Sequence, residues 1–127
     1  MIAGVYNITI EQGTTFYRLN DVMEPTVLDP DVYEAFDLTG YTARMQIRRT
    51  IDNNDAPALS LVSPTASGNG ITVMDGANNA ISINITAATT ATLTTSGVYD
   101  LEIIKTSTGA VSRLIQGTIT LSLEVTR

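Results

Sequence analysis

Along most of this chain apolar and polar residues take turns. Tyr6, Ile8 and Ile10 oppose Asn7, Thr9 and Glu11, while Ala43, Met45 and Ile47 oppose Thr42, Arg44, Gln46 and Arg48. Ile81, Ile83 and Ile85 then oppose Ser82, Asn84 and Thr86, and Tyr99, Leu101 and Ile103 alternate with Asp100, Glu102 and Ile104. The chain closes with Ile119, Leu121, Leu123 and Val125 set against Thr118, Thr120, Ser122 and Glu124. A period of two belongs to strands with one face in a core and the other in water.

Between these runs stand shorter strand signals and turn residues. Thr14 to Leu19 reads as a strand of ambiguous facing; Ala58–Val62, Ile71–Met74 and Val111–Gln116 read as further strands. Asp37-Leu-Thr-Gly40 is a turn, because Asp bonds its own backbone and Gly40 accepts positive φ. Turns are also expected at Asp52-Asn-Asn-Asp55, Asp75-Gly-Ala-Asn-Asn79 and Ser107-Thr-Gly109, with a loop over residues 63–70. Only Thr86 to Leu93 suggests a helical turn, as a connection between sheets. Short strands with turn signals at this spacing predict an all-β, immunoglobulin-like antiparallel sandwich of about 7–9 strands. Tyr99, opening a strand just after that connection and preceded by Gly97, looks like a tyrosine corner, its hydroxyl bonding backbone near Leu93. The alternative is one more core aromatic.

Four stretches share their wording, in order, with a recurrent module. They are Gln12-Gly-Thr-Thr-Phe16, Asp37-Leu-Thr-Gly-Tyr-Thr-Ala-Arg-Met-Gln-Ile-Arg48, Gly97-Val-Tyr-Asp-Leu101, and Arg113-Leu-Ile-Gln-Gly117 through Glu124-Val-Thr-Arg127. Together they resemble a module of tailed-bacteriophage virion proteins, related to the N-terminal domain of baseplate upper proteins. The resemblance implies a virion structural protein, made in the host bacterial cytoplasm. Its partners would be other virion proteins (tail, baseplate, fibre or capsid) and copies of itself. In that family the module often precedes longer sequence; here residues 1–127 are expected to be the module alone, as one domain.

One segment breaks the pattern. Residues 20–37 would be a loop far longer than the usual hairpin connection, and such loops are functional or disordered. The segment holds Asp21, Glu24, Asp29, Asp31, Glu34 and Asp37 and no Lys or Arg. The net charge is −6, and the rest of the chain carries seven acids against seven bases, so this arm holds the whole excess. Val22, Met23, Val27, Leu28, Val32, Tyr33 and Phe36 are interleaved with the acids, and Pro25 and Pro30 stiffen the backbone. Compared with the resembling family, where a short turn joins these strands, it is an insertion. Three readings stand: an arm docking on a neighbouring protein through Val27, Leu28, Tyr33 and Phe36, a flap over an open edge of the sandwich, or disorder.

Composition removes much chemistry. The absence of Cys, His and Trp excludes disulfides, zinc-thiolate sites, imidazole ligation and triads built on His. An acidic surface repels phosphate backbones, so no nucleic acid is expected. No run of about 18 apolar residues predicts a membrane span, and no basic-then-apolar start predicts a secretory signal.

The remaining candidates are weak. Asp29/Asp31 and Asp52/Asp55 sit among Pro and Asn, where Asp serves turns; neither pair carries the Gly and closing Glu of an EF-hand loop. No catalytic residue, metal or cofactor is therefore expected. Lys105, the only lysine, reads as a solvated strand end rather than an isopeptide donor, and the sequons at Asn7 and Asn84 are chance in a Thr-rich chain. Arg44, Arg48, Arg49 and Arg113 would share a sheet surface that meets the acidic arm of a neighbouring copy or is simply wet. The alternative function is a carbohydrate-binding or adhesive sandwich, for which five Tyr, two Phe and no Trp make a poor stacking platform.

Overall fold

The computed structural model describes residues 4–25, 28–51, 56–74 and 79–126. A two-residue strand, β1 (Gly4–Val5), comes first; of the first alternating run only Ile8–Glu11 is a strand, β2, and Tyr6 between them is exposed rather than in the core. After the Gln12-Gly13 turn come β3 (Phe16–Asp21), β4 (Met23–Pro25) and β5 (Tyr33–Ala35). Next are β6 (Tyr41–Arg48), β7 (Leu59–Val62), β8 (Gly70–Met74) and β9 (Ala80–Ile85). One helical turn, α1 (Ala87–Thr90), is capped by the Thr86 hydroxyl and leads to β10 (Gly97–Lys105) and β11 (Val111–Ser122).

β1 and β2 run parallel to β11 in one shared register, and the sheet continues through β10 and β6 to β7 by antiparallel pairing. The second sheet is β3-β9-β8, antiparallel throughout. Ile8, Ile10, Met45, Ile47, Leu101, Ile103 and Ile119 from the first sheet meet Ile71, Ile81, Ile83 and Ile85 from the second, all buried. Burying side chains of this size stabilises by about 1.5–3 kcal/mol each, which is what holds the sheets face to face. Among the described residues nine strands lie in the two facing sheets, and the fold is an immunoglobulin-like β-sandwich.

Several expectations need correction. Residues 20–37 are not a long loop. Asn20 and Asp21 end β3, Val22 is buried, and β4 and β5 form their own two-stranded hairpin. Ser82 is buried rather than wet, because β9 is the middle strand of its sheet with Leu19 and Thr72 directly beside it. The last strand stops at Ser122, so Leu123 and Val125 lie outside the core and are exposed. There the Glu124 N–H leaves the ladder and donates to Gln12 Oε1 at 3.0 Å. The expected turns at 52–55 and 75–78 lie outside the described residues.

Tyr99 is buried on the inner face, but its hydroxyl does not reach backbone near Leu93. It donates to the Tyr6 carbonyl at 2.6 Å, pinning the N-terminal strand rather than the helical crossover. The reason is visible at the break between β1 and β2. A Cβ at Gly117 would land on the Tyr6 carbonyl oxygen, so only glycine lets that carbonyl turn in toward Tyr99. Thr118 N–H then takes the Asn7 side chain, at 3.1 Å, in place of a backbone partner. Burial pushes the Tyr99 phenol up to about 12, with Arg18 opposing and Tyr6 adding to the shift. Gly97 is fixed by a close approach, since a Cβ there would meet the Arg48 carbonyl; Gly40 has φ +79° in the turn before β6.

Candidate interaction surfaces

The hairpin is rooted before it projects. Asn79 closes the root: its carbonyl accepts from Val22 N–H at 3.2 Å and its side-chain oxygen from Leu38 N–H at 3.1 Å. Phe36 N–H donates to the Val22 carbonyl at 2.8 Å, and Val22 and Leu38 are buried on either side. Asn79 holds φ +36°, a left-handed conformation that Asn tolerates better than most residues.

Past the root, β4 and β5 pair only with each other among the described residues. The turn beyond them is organised by Asp29, whose carboxylate accepts from Asp31 N–H at 3.0 Å and whose carbonyl accepts from Val32 N–H. The hairpin therefore offers apolar side chains to solvent: Leu28 is 99% exposed, Tyr33 60%, Val32 51% and Met23 48%. Glu24, Asp29, Asp31 and Glu34 lie among them.

The expected interface residues separate into groups. Leu28 and Tyr33 stand in the open, and Val27 lies outside the described residues. Phe36 is partly buried and packs on the body, edge to face with Tyr41 at 5.5 Å between ring centroids. It is a base on which the hairpin stands. Asp37, just beyond, accepts from Thr39 N–H at 3.0 Å, and the backbone bond first, then the Thr39 hydroxyl, holds its carboxyl below the usual value.

Arg44 and Arg48 lie on the outer face of the six-stranded sheet, where β10 supplies acids between them and Arg113. Arg44 pairs with Glu102 at 2.9 Å, and Arg113 with Asp100 at 3.4 Å. Arg48 donates to Gln46 at 2.9 Å and Arg113 to Gln116 at 3.0 Å. Burial, and then the neighbouring Glu102, raise the Asp100 carboxyl above its usual value, against the pull of Arg113, Arg44 and Arg48. These charges form a shallow, self-matched surface around a depression of about 570 Å³ rimmed by Val5, Ile51 and Val98. Among the described residues no cluster of three carboxylates gathers as a metal would require.

A third surface had no clear signal in the sequence. β3 is an edge strand whose inward positions are Phe16, Arg18 and Asn20, opposite Ile85, Ile83 and Ile81. Tyr17 and Leu19 point outward and are 58% and 50% exposed. Arg18 turns back over the Tyr6 ring, 3.6 Å from its centroid, and donates to Asn20 at 2.8 Å. Polar residues facing in and apolar ones facing out made the facing of Thr14–Leu19 ambiguous. In the sequence Asn79, the root of the hairpin, carries only a turn signal.

The fold places the chain among immunoglobulin-like sandwiches. Among solved structures it is similar to that of the NK cell receptor Nkp44, a triggering partner in natural cytotoxicity, with a TM-score of 0.52 and 17% identity. The match covers 96% of this chain and 100% of that one, and at such identity it speaks for the fold alone. No family model and no curated protein matches the sequence.

Proposed function

We propose that this chain is a non-enzymatic structural component of a tailed-phage virion, a module that joins or decorates virion parts through protein–protein contact. Such a role covers a tail or baseplate-fibre adaptor or a capsid decoration protein, with copies of itself and other virion proteins as partners. The observation that carries the interaction role is the hairpin. It exposes Leu28, Val32 and Tyr33 beside acids on a two-stranded element that, among the described residues, pairs with no other strand. Apolar side chains held out on a projection, with an acidic rim, suit a partner pocket better than they suit water. The virion setting rests on the four ordered stretches that resemble the phage module.

The test removes the projection and keeps its root. Residues 23–35 are deleted from the phage gene and Val22 is joined to Phe36 through two glycines. The shortened protein is expected to fold and to be missing from purified particles. Incorporation at the parental level would make the hairpin a dispensable cover and overturn its role as the docking element.

A further inference from the structure

Among the described residues the edge of β3 is open along its whole length. The strand pairs with β9 on one side and, among the described residues, with nothing on the other, because the N-terminal strands lie on β11. Which groups face outward follows from the ladder. Val22 N–H donates to the Asn79 carbonyl in the register that pairs Asp21 with Ala80, so Asn20, Arg18 and Phe16 likewise bond toward β9. The N–H and C=O groups of Tyr17, Leu19 and Asp21 therefore point away from the sheet.

Natural edges are usually blunted by Pro, Lys, bulges or shortness. β3 has no Pro or Lys, its register is unbroken, and Arg18 is folded back on Tyr6 instead of guarding the rim. With six residues it is longer than β7 or β8. Beside it opens a cleft of about 420 Å³ lined by Leu19, Asn20, Val22, Leu114 and Ile115, among others. Asn20 Nδ2 is buried there without a partner. A strand laid along β3 would satisfy the outward backbone groups and place every second side chain toward this cleft.

We propose that the β3 edge receives an extended strand from a partner polypeptide. The strand bonds Tyr17, Leu19 and Asp21, seats an apolar side chain against Leu114 and Ile115, and carries a Lys or Arg beside Asp21 and Glu24. Charge argues for that cation and against a second copy of this chain as the donor. The edge runs straight into a segment holding six acids and no base, and every further copy brings a net charge of −6. Main-chain bonds supply affinity in such strand addition, and alternate side chains supply specificity. This site is separate from the exposed hairpin tip and does not depend on the virion assignment.

The probe is the peptide acetyl-Lys-Val-Thr-Val-Thr-Val-Lys-amide, added at millimolar concentration to the full chain under amide-resolved NMR. The amides of Tyr17, Leu19 and Asp21 should shift, and their exchange with solvent should slow by at least about ten-fold. The same peptide N-methylated at alternate residues should leave them unmoved. Leu19→Pro removes only an outward N–H, so the variant should fold and lose the peptide, whereas Asn20→Pro removes a ladder bond to β9 and should not fold. Asp21→Lys should keep the fold and weaken peptide binding about ten-fold, roughly 1.4 kcal/mol. The proposal is overturned by absence of shifts, by shifts confined to β7, β8 or the hairpin, or by undiminished binding to Leu19→Pro or Asp21→Lys. Failure of Leu19→Pro to fold also overturns it, since that N–H would then be needed by the fold. So does sedimentation showing the chain alone dimerising through this edge, with the dimer lost in Leu19→Pro.

Discussion

At the scale of single residues, Tyr99, Gly117 and Tyr6 act as one device. Tyr99→Phe removes a buried hydroxyl bond worth about 0.5–1.5 kcal/mol and strands the Tyr6 carbonyl at a similar further cost. Each kcal/mol moves the melting temperature of a domain this size by roughly 3–6 °C, so the variant should melt several degrees lower, and the exposed-face control Thr118→Val much less. Melting with the parent would mean that the hydroxyl bonds water instead. The same phenol gives an alkaline signature. Its ionisation is raised from 10.0 to about 12 in the fold, so its contribution is intact below the unfolded value and lost as pH rises through the folded one. Ultraviolet absorbance should show one tyrosine ionising only with alkaline unfolding, a step missing in Tyr99→Phe. Asp100 has the same sign at the other end of the scale. Its raised carboxyl favours the fold when protonated, and that contribution is lost as pH rises through the folded value. Asp100→Asn should therefore melt at or above the parent at neutral pH, with the gap closing in acid; a clear loss at neutral pH would show that the Arg113 pair outweighs burial.

At the scale of elements, the hairpin and its root divide the labour between structure and contact. Asn79→Ala leaves the Leu38 N–H without its buried acceptor and should cost about 1–3 kcal/mol, with faster protease cleavage within residues 23–35. Asn79→Gly loses the same bond but suits the left-handed backbone, so it should cost less; equal losses would place the whole effect in the lost hydrogen bond. The sequence made the sandwich strands legible wherever a strand had one wet face, as at β6 and β10. It failed where that premise failed. β9 sits mid-sheet and buries Ser82, and β3 sits at an edge and points Tyr17 and Leu19 outward. The 20–37 segment was legible as acidic and apolar but not as a hairpin, because strands of three residues are too short to show a period. Several residues of the motifs do structural work. Gln12 bonds the Leu93 carbonyl at 2.8 Å, Asp37 and Gly40 shape a turn, Gly97 and Gly117 admit close backbone, and Glu124 packs over Gly13. They report how the chain folds, whereas the hairpin that would meet a partner shares none of their wording.

At the scale of the whole molecule, the sandwich carries two surfaces proposed to meet partners: an acidic, apolar hairpin and the β3 edge. The six-stranded face, with Arg44 and Arg113 already paired to Glu102 and Asp100, has less to offer a partner. Under the proposed virion role the chain would occupy fixed positions in a symmetric assembly, so its copy number should be a constant of the particle. Quantitative mass spectrometry of purified particles, with heads and tails separated, tests that claim most directly. The expected result is this chain at one constant ratio to a symmetric head or tail protein, confined to one of the two fractions. Its absence from washed particles, or an amount that varies between preparations, would contradict the account.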